Sequence, residues 1–282
     1  MSAQQTPPDP TTSSHILPRT LPVSHVKGIN WLGLWTLTER EIKRFMAVST
    51  QTLVAPLITL VLFYAVFAMT LRGRGIEMPG GVSYMQFLAP GLIMMSMAQN
   101  AFANASSSLI IGKMQGNIVD ILMPPLSSIE ILAGYVAGAV ARGLAVGAVS
   151  IIFMTFLLDW PAFHPLTLIV YSVLGCTMLG TLGLLTGLWA EKFDHTAAIT
   201  NFVVTPLTFL SGTFYALTSL PEVWQFIAHF NPFFYMIDGF RYALTGVSES
   251  PLSTGLLILC AVNAALLGFS AWLLRRGYKI LS

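Results

Sequence analysis

Six stretches of the chain are long, apolar and nearly free of charge: residues 53–71, 87–111, 131–158, 166–190, 197–215 and 251–274. Across all of them the one Asp, Glu, Lys or Arg is Arg142. A bilayer core of ~30 Å needs roughly 20 apolar residues in helical form. In lipid, backbone polar groups must be bonded inside the protein, which helices do within one segment. These stretches predict an all-α polytopic membrane protein with about six transmembrane helices. Composition agrees: charged residues make up 9% of the chain and hydrophobic ones 55%, where soluble domains carry about 25% charged residues. An ordinary soluble domain and a disordered chain are thereby excluded. A net charge of +2 also excludes a nucleic-acid binder that tracks phosphates. Cys176 and Cys260 lie in apolar runs and give no disulfide framework.

Residues 1–28 are rich in Pro, Ser and Thr, without the apolar core of a signal peptide, and read as a disordered cytoplasmic tail. Residues 29–282 read as one transmembrane domain. Its first segment, 31–46, places Trp31, Leu34, Trp35, Ile42, Phe45 and Met46 on one helical face. Glu39, Arg40, Glu41, Lys43 and Arg44 fall on the other. Such a helix is expected to lie in the membrane interface. With both termini in the cytoplasm, Lys27, Arg40, Lys43, Lys113, Lys192 and Arg275 all fall inside. Arg72, Arg74 and Arg241 fall outside, in keeping with the positive-inside rule. Residues 216–250 are apolar but broken by Pro221 and by Asn231-Pro232. Two short aromatic helices returning to one side would form a re-entrant hairpin between the fifth and sixth spans. On it, Asp238 and Arg241 are expected to pair, and Glu249 to be an exposed charge.

No catalytic or nucleotide motif is present: GxxxxGK[ST], HExxH and CxxC are all missing. Ser211 lacks the leading glycine of a nucleophile motif, and no metal-ligand cluster is expected. Arg142 lies about 12 residues, roughly 18 Å, into its span, where a charge costs at least ~2.5–3.5 kcal/mol. It either bonds carbonyls and amides between helices or lines a translocation path. Ser96, Asn100, Asn104 and Ser108 are spaced by four and share one face. This stripe serves helix–helix hydrogen bonding or walls a substrate cavity. Gly134-xxx-Gly138, Gly143-xxx-Gly147 and Gly183-xxx-Gly187 are read as close-packing sites. In the loop after the second span, Ile118, Ile121 and Leu122 make an amphipathic turn stopped by Pro124-Pro125. It suits either docking to a soluble partner or a surface connector.

A wider pattern runs through the C-terminal half. Leu207-Thr208-Phe209-Leu210-Ser211-Gly212-Thr213-Phe214-Tyr215 is followed by Leu220-Pro221, Asn231-Pro232 and Asp238-Gly239-Phe240-Arg241-Tyr242. With Lys192-Phe193-Asp194 and Pro125-Leu126-Ser127, this resembles ABC-2 type ABC transporter permeases, and within them the YadH-like subgroup with a separately encoded ATPase. The resemblance covers roughly residues 30–282.

It implies an inner-membrane exporter built from two permease copies and two ABC ATPase subunits. ATP and Mg would be bound on the partner ATPase and no cofactor on this chain. The cargo would be amphiphilic, lipid-linked, glycan or drug-like. It further implies that Glu39, Arg40, Lys43, Arg44, Lys113, Ile118, Asp120, Ile121 and Leu122 contact the ATPase. Ser96, Asn100, Asn104 and Arg142 become candidates for the translocation path, and Asn231, Pro232, Asp238 and Arg241 belong to the hairpin. The contrasting expectation is an ion-coupled secondary carrier or a membrane assembly factor without an ATPase.

Overall fold

A computed structural model describes residues 28–71, 78–116 and 125–277. Among them the chain is helical and holds no strand. Most of the N-terminal tail lies outside the described residues, as do Ile118, Asp120, Ile121 and Leu122.

Helix α1 (Trp31–Met46) is capped by Asn30, whose side chain accepts from the Gly33 amide at 2.9 Å. It buries Leu37, Glu41 and Phe45, a stripe spaced by four. Trp31, Leu32 and Trp35 are exposed, so the stripe that packs on protein is a second one, distinct from the tryptophan face. The reason is the partner helix. α1 packs on α4 (Ser128–Thr155), where a Cβ on Gly134 would lie 2.6 Å from Leu37 Cδ2 and one on Gly138 2.4 Å from Glu41 Cβ. Bare backbone on α4 makes room for Leu37 and Glu41. The two tryptophans, left outside, take the lipid-interface position.

A π-turn, Thr50–Val54, leads into α2 (Ala55–Leu71). A second, Thr200–Val204, joins α6 (Phe193–Ile199) to α7 (Thr205–Phe209). Both precede a proline, Pro56 and Pro206. Proline has no N–H for the carbonyl four residues back, and widening the turn re-pairs the ladder.

The long helix α3 (Tyr84–Met114) forms the centre. Around it pack α4, α5 (Pro165–Trp189) and α9 (Pro232–Thr245), with α2 on a further side. Glycines set the closest approaches: a Cβ on Gly183 would stand 2.3 Å from the Phe102 carbonyl, and one on Gly147 2.4 Å from Met97 sulfur. The three glycine pairs thus act as packing sites. α10 (Leu252–Arg275) closes the bundle against α5 and α9.

Among the described residues, four helices are long and apolar enough to cross a membrane: Thr50–Thr70, Ser128–Thr155, Pro165–Trp189 and Leu252–Arg275. α3 has 31 residues, about 46 Å at ~1.5 Å each. It falls short of them in apolarity because it carries the polar stripe. The expected span 197–215 is displaced. Its helical run starts at Phe193 and ends at Phe209, followed by turns. The short α8 (Glu222–His229) and α9 are joined at Asn231. α9 is buried almost throughout, whereas α8 exposes Val223, Trp224, Phe226 and Phe230.

Candidate functional site

A cleft of about 630 Å³ opens between the π-turn and α2 on one side and α3 and α4 on the other. Arg44, Gln51, Thr59, Ser96, Asn100 and Arg142 supply its polar lining. Leu60, Phe63, Leu92 and Met95 supply an apolar wall. Within it, Arg142 donates to Asn100 Oδ1 at 3.0 Å, and Asn100 Nδ2 donates back along its own helix to the Ser96 carbonyl at 3.0 Å. Arg142 Nε is buried without an acceptor. Ser96 and Asn100 of the α3 stripe are thus brought together with Arg142 of α4.

Asn104 and Ser108, the rest of the stripe, are not in this cleft. They lie behind it in a buried network centred on Glu41, which is fully buried. Ser108 donates to Glu41 Oε1 at 2.7 Å. Arg44 donates to Glu41 Oε2 at 3.1 and 3.3 Å, to the Asn104 carbonyl at 2.8 Å and to Asn104 Oδ1 at 2.9 Å. A further Arg44 nitrogen donates to Ser107 Oγ at 3.2 Å. The expectation of an outward-facing polar side for Glu41 and Arg44 is corrected here. At positions 41 and 44 the helix faces α3, and an acid buried there is tolerated because the arginine and hydroxyl satisfy it. Glu41 escaped the sequence reading as a site residue. Its signal was the Leu37, Glu41, Phe45 spacing, which puts it on an apolar stripe.

Glu39 and Lys43 pair at 2.7 Å on the surface, with Arg40 exposed beside them. Lys113 Nζ donates to the Leu188 carbonyl at the end of α5. Where α1 meets α4, Glu130 joins two helix starts. Its Oε2 accepts from the Ser127 amide at 2.6 Å and its Oε1 from the Asn30 amide at 2.5 Å. The start of α1 is thereby fixed to the start of α4.

The region around α9 is held by buried polar anchors. Asn231 caps α9 by accepting from the Phe233 amide at 3.1 Å, and its Nδ2 donates to the Leu207 carbonyl and Ser211 Oγ, each at 2.9 Å. Pro232 takes the first helical position of α9, where no N–H is needed. The expected Asp238–Arg241 contact is not made. Asp238 instead accepts from the Glu249 and Ser250 amides at 2.9 and 3.0 Å and from Ser250 Oγ at 2.6 Å. Arg241 donates to the carbonyls of Phe87 and Gly212 and stacks 3.6 Å over the Phe87 ring. The two side chains sit three apart on one helix but are drawn to different neighbours, because unsatisfied carbonyls and amides lie closer than the opposite charge. Glu249 is not an exposed charge either. It is half-buried and accepts from the Leu217 amide at 2.9 and 3.0 Å. Burial raises its carboxyl pKa, opposed by that amide and by Arg241.

A polytopic helical bundle with a polar cleft inside its membrane-embedded part is the architecture of a membrane transport domain. The chain belongs to the ABC-2 type transporter family, whose model matches residues 33–245. It is 44% identical over 253 residues to the inner membrane transport permease YadH of Escherichia coli (strain K12), covering 88% of this chain and 96% of that protein. Nodulation protein J of Rhizobium leguminosarum bv. viciae is 28% identical over 257 residues, covering 88% and 95%. Nodulation protein J of Neorhizobium galegae is 25% identical over 255 residues, covering 88% and 94%.

Proposed function

We propose that this chain is the membrane-spanning permease subunit of an ATP-driven exporter. Two copies form the translocation path, and each works with an ABC ATPase subunit that binds ATP and Mg. The cargo is an amphiphile, lipid-linked, glycan or drug-like, moved out of the cytoplasm or the inner leaflet. The observation that carries this reading is the polar cleft beside α2, in a chain without a nucleotide-binding motif that belongs to the ABC-2 family. α2 is the least covered of the four apolar spans, with 11% of its apolar window buried. Ile58, Leu62 and Val66 are exposed along it at a spacing of four. A second copy placed there would close the cleft. Residues of the 193–209 segment, Phe202 above all, are exposed as well and suit the same contact. The match to an inner membrane permease and the basic loops support an inner-membrane location, six crossings, cytoplasmic termini and an outer hairpin at 216–250.

Tagged permease, expressed with its ABC ATPase, is the test. The ATPase is expected to copurify, and its hydrolysis to respond to a member of a panel of lipids, glycans and drugs. Ile121→Asp places a carboxylate where an apolar docking anchor is expected, which costs several kcal/mol in a buried contact. It is expected to abolish copurification while membrane insertion is unchanged. Transport driven by an ion gradient with no associated ATPase would overturn the proposal.

A further inference from the structure

Three arginines reach into the body of the bundle, and they differ in what surrounds them. Arg44 is neutralised at its rear by Glu41. Arg241, 1% exposed, is bonded to two carbonyls and feels the charges of Asp238 and Glu249. Arg142 has neither kind of compensation. Among the described residues its hydrogen-bond partner is the neutral Asn100, and its Nε is buried without an acceptor. The neighbouring charge that acts on it is a second cation, Arg44, which lines the same cleft. A guanidinium carries five N–H donors and no acceptor, so this arrangement leaves donors turned toward a space that holds no anionic side chain. Glu41, the acid closest to hand, is enclosed by Ser108 and Arg44 and is not among the lining residues.

The rest of the cleft fits a ligand of two parts. Gln51, Thr59, Ser96 and Gln99 add neutral hydrogen-bonding groups near the two arginines. Leu92 and Met95 on α3 face Leu60 and Phe63 on α2 and offer a dry wall. Leu92 precedes Asn100 by two helical turns, about 12 Å, roughly the reach of a medium-length alkyl chain. We infer that the cleft binds the anionic group of an amphiphile, a phosphate or carboxylate, with Arg142 as its charge partner and the Leu60–Phe63–Leu92–Met95 wall taking the apolar part. Guanidinium groups recognise both oxyanions by paired, charge-assisted hydrogen bonds. In a water-poor cleft such an interaction is stronger than at a surface. The inference rests on the reading of this cleft as the transport path and names the chemistry of the cargo's polar end.

The full-length permease, purified in phosphatidylcholine nanodiscs, is titrated with dodecyl phosphate, dodecyltrimethylammonium, dodecyl maltoside and inorganic phosphate. Dodecyl phosphate is expected to bind saturably, at least tenfold tighter than the other three. Arg142→Gln is expected to weaken it at least tenfold, and Arg142→Lys by less. Thr59→Asp puts an acid on an exposed lining position of α2 without touching Arg142, and should also remove the preference for phosphate. It serves as the decisive variant if Arg142→Gln does not fold. Equal affinity for the cationic and anionic amphiphiles, or a phosphate preference that survives both substitutions, overturns the inference. Inorganic phosphate binding as tightly as dodecyl phosphate overturns the amphiphile and assigns the site to a soluble anion. A permease that copurifies its ATPase yet shows no anion preference removes this inference alone. Loss of the ATPase association removes the exporter reading instead.

Discussion

Helix α1 carries two ion pairs of opposite standing, and they allow a controlled test. Glu39 and Lys43 meet at 2.7 Å with side-chain exposures of 41% and 75%. Glu41 and Arg44 meet at 3.1 Å with exposures of 0% and 26%. The first pair is screened and contributes about 0–1 kcal/mol, so Glu39→Ala should shift thermal unfolding by no more than about 4 °C. Glu41→Ala differs because the remaining Arg44 is held against Asn104 and Ser107 on α3 and loses its counter-charge. Breaking one side of a buried pair costs about 3–5 kcal/mol. At roughly 2–4 °C per kcal/mol for a chain of this size, the midpoint should fall by about 6–20 °C. Removing both charges with Glu41→Met and Arg44→Met should recover part of that loss, since the double variant leaves no uncompensated charge. The assay is the thermal unfolding midpoint of the purified permease in one detergent, with all variants measured together. If Glu41→Ala and Glu39→Ala shift it equally, or if the double variant is worse than the sum of the singles, the buried network does not hold α1 to the bundle.

Gly138→Ala should also loosen α1, because its Cβ would come 2.4 Å from Glu41 Cβ. A loss of about 1–3 kcal/mol is expected for such overpacking, against none for Gly268→Ala, which meets nothing within 4 Å; thermal midpoints decide between them. Arg241→Ala strips the Phe87 and Gly212 carbonyls of a donor and should cost about 2–5 kcal/mol. Glu249→Ala frees the Leu217 amide and should cost less, about 1–2 kcal/mol. Equal shifts would remove Arg241 from its place as the central anchor of the region around α9.

How much of this was readable in the sequence depends on what each feature needs. Apolar run lengths needed only the bilayer's thickness, so the helical membrane class followed directly. The glycine pairs and the Ser96–Asn100 part of the polar stripe were also legible, because helical spacing alone puts their members on one face; that Arg142, on another helix, meets Asn100 was not. Helix rotation was not. Residues 31–46 contain two apolar stripes, Trp31 with Trp35 and Leu37 with Phe45, and local periodicity cannot say which one meets protein. The glycines on α4, nearly a hundred residues away, make that choice. The Asp238–Arg241 pairing failed for a related reason. Spacing of three makes a contact geometrically open, but the carbonyl of Gly212 and the amides of Glu249 and Ser250 come from turns that sequence distance does not reveal. The span expected at 197–215 ended early at Phe209, where turns follow that include Gly212 at φ 69°, in a run that hydropathy treats as uniform.

These contacts join two surfaces that the exporter reading assigns to the ATPase. The amide of Ser127 is held by Glu130, and the same carboxylate holds the Asn30 amide at the start of α1. A displacement at Ser127 therefore pulls on α1 as well as α4. α1 in turn cannot slide without moving Arg44, because Glu41 and Arg44 travel with it while Asn104 and Ser108 stay on α3. Arg44 also lines the cleft, beside Arg142. The physical path from Ser127 to the cleft is thus short and built of charged hydrogen bonds rather than soft apolar contacts. Such bonds are either made or lost over small displacements, which suits an element with two arrangements. Under this reading, Glu130→Ala should leave cargo binding at Arg142 in place and lower the ATPase stimulation that cargo produces.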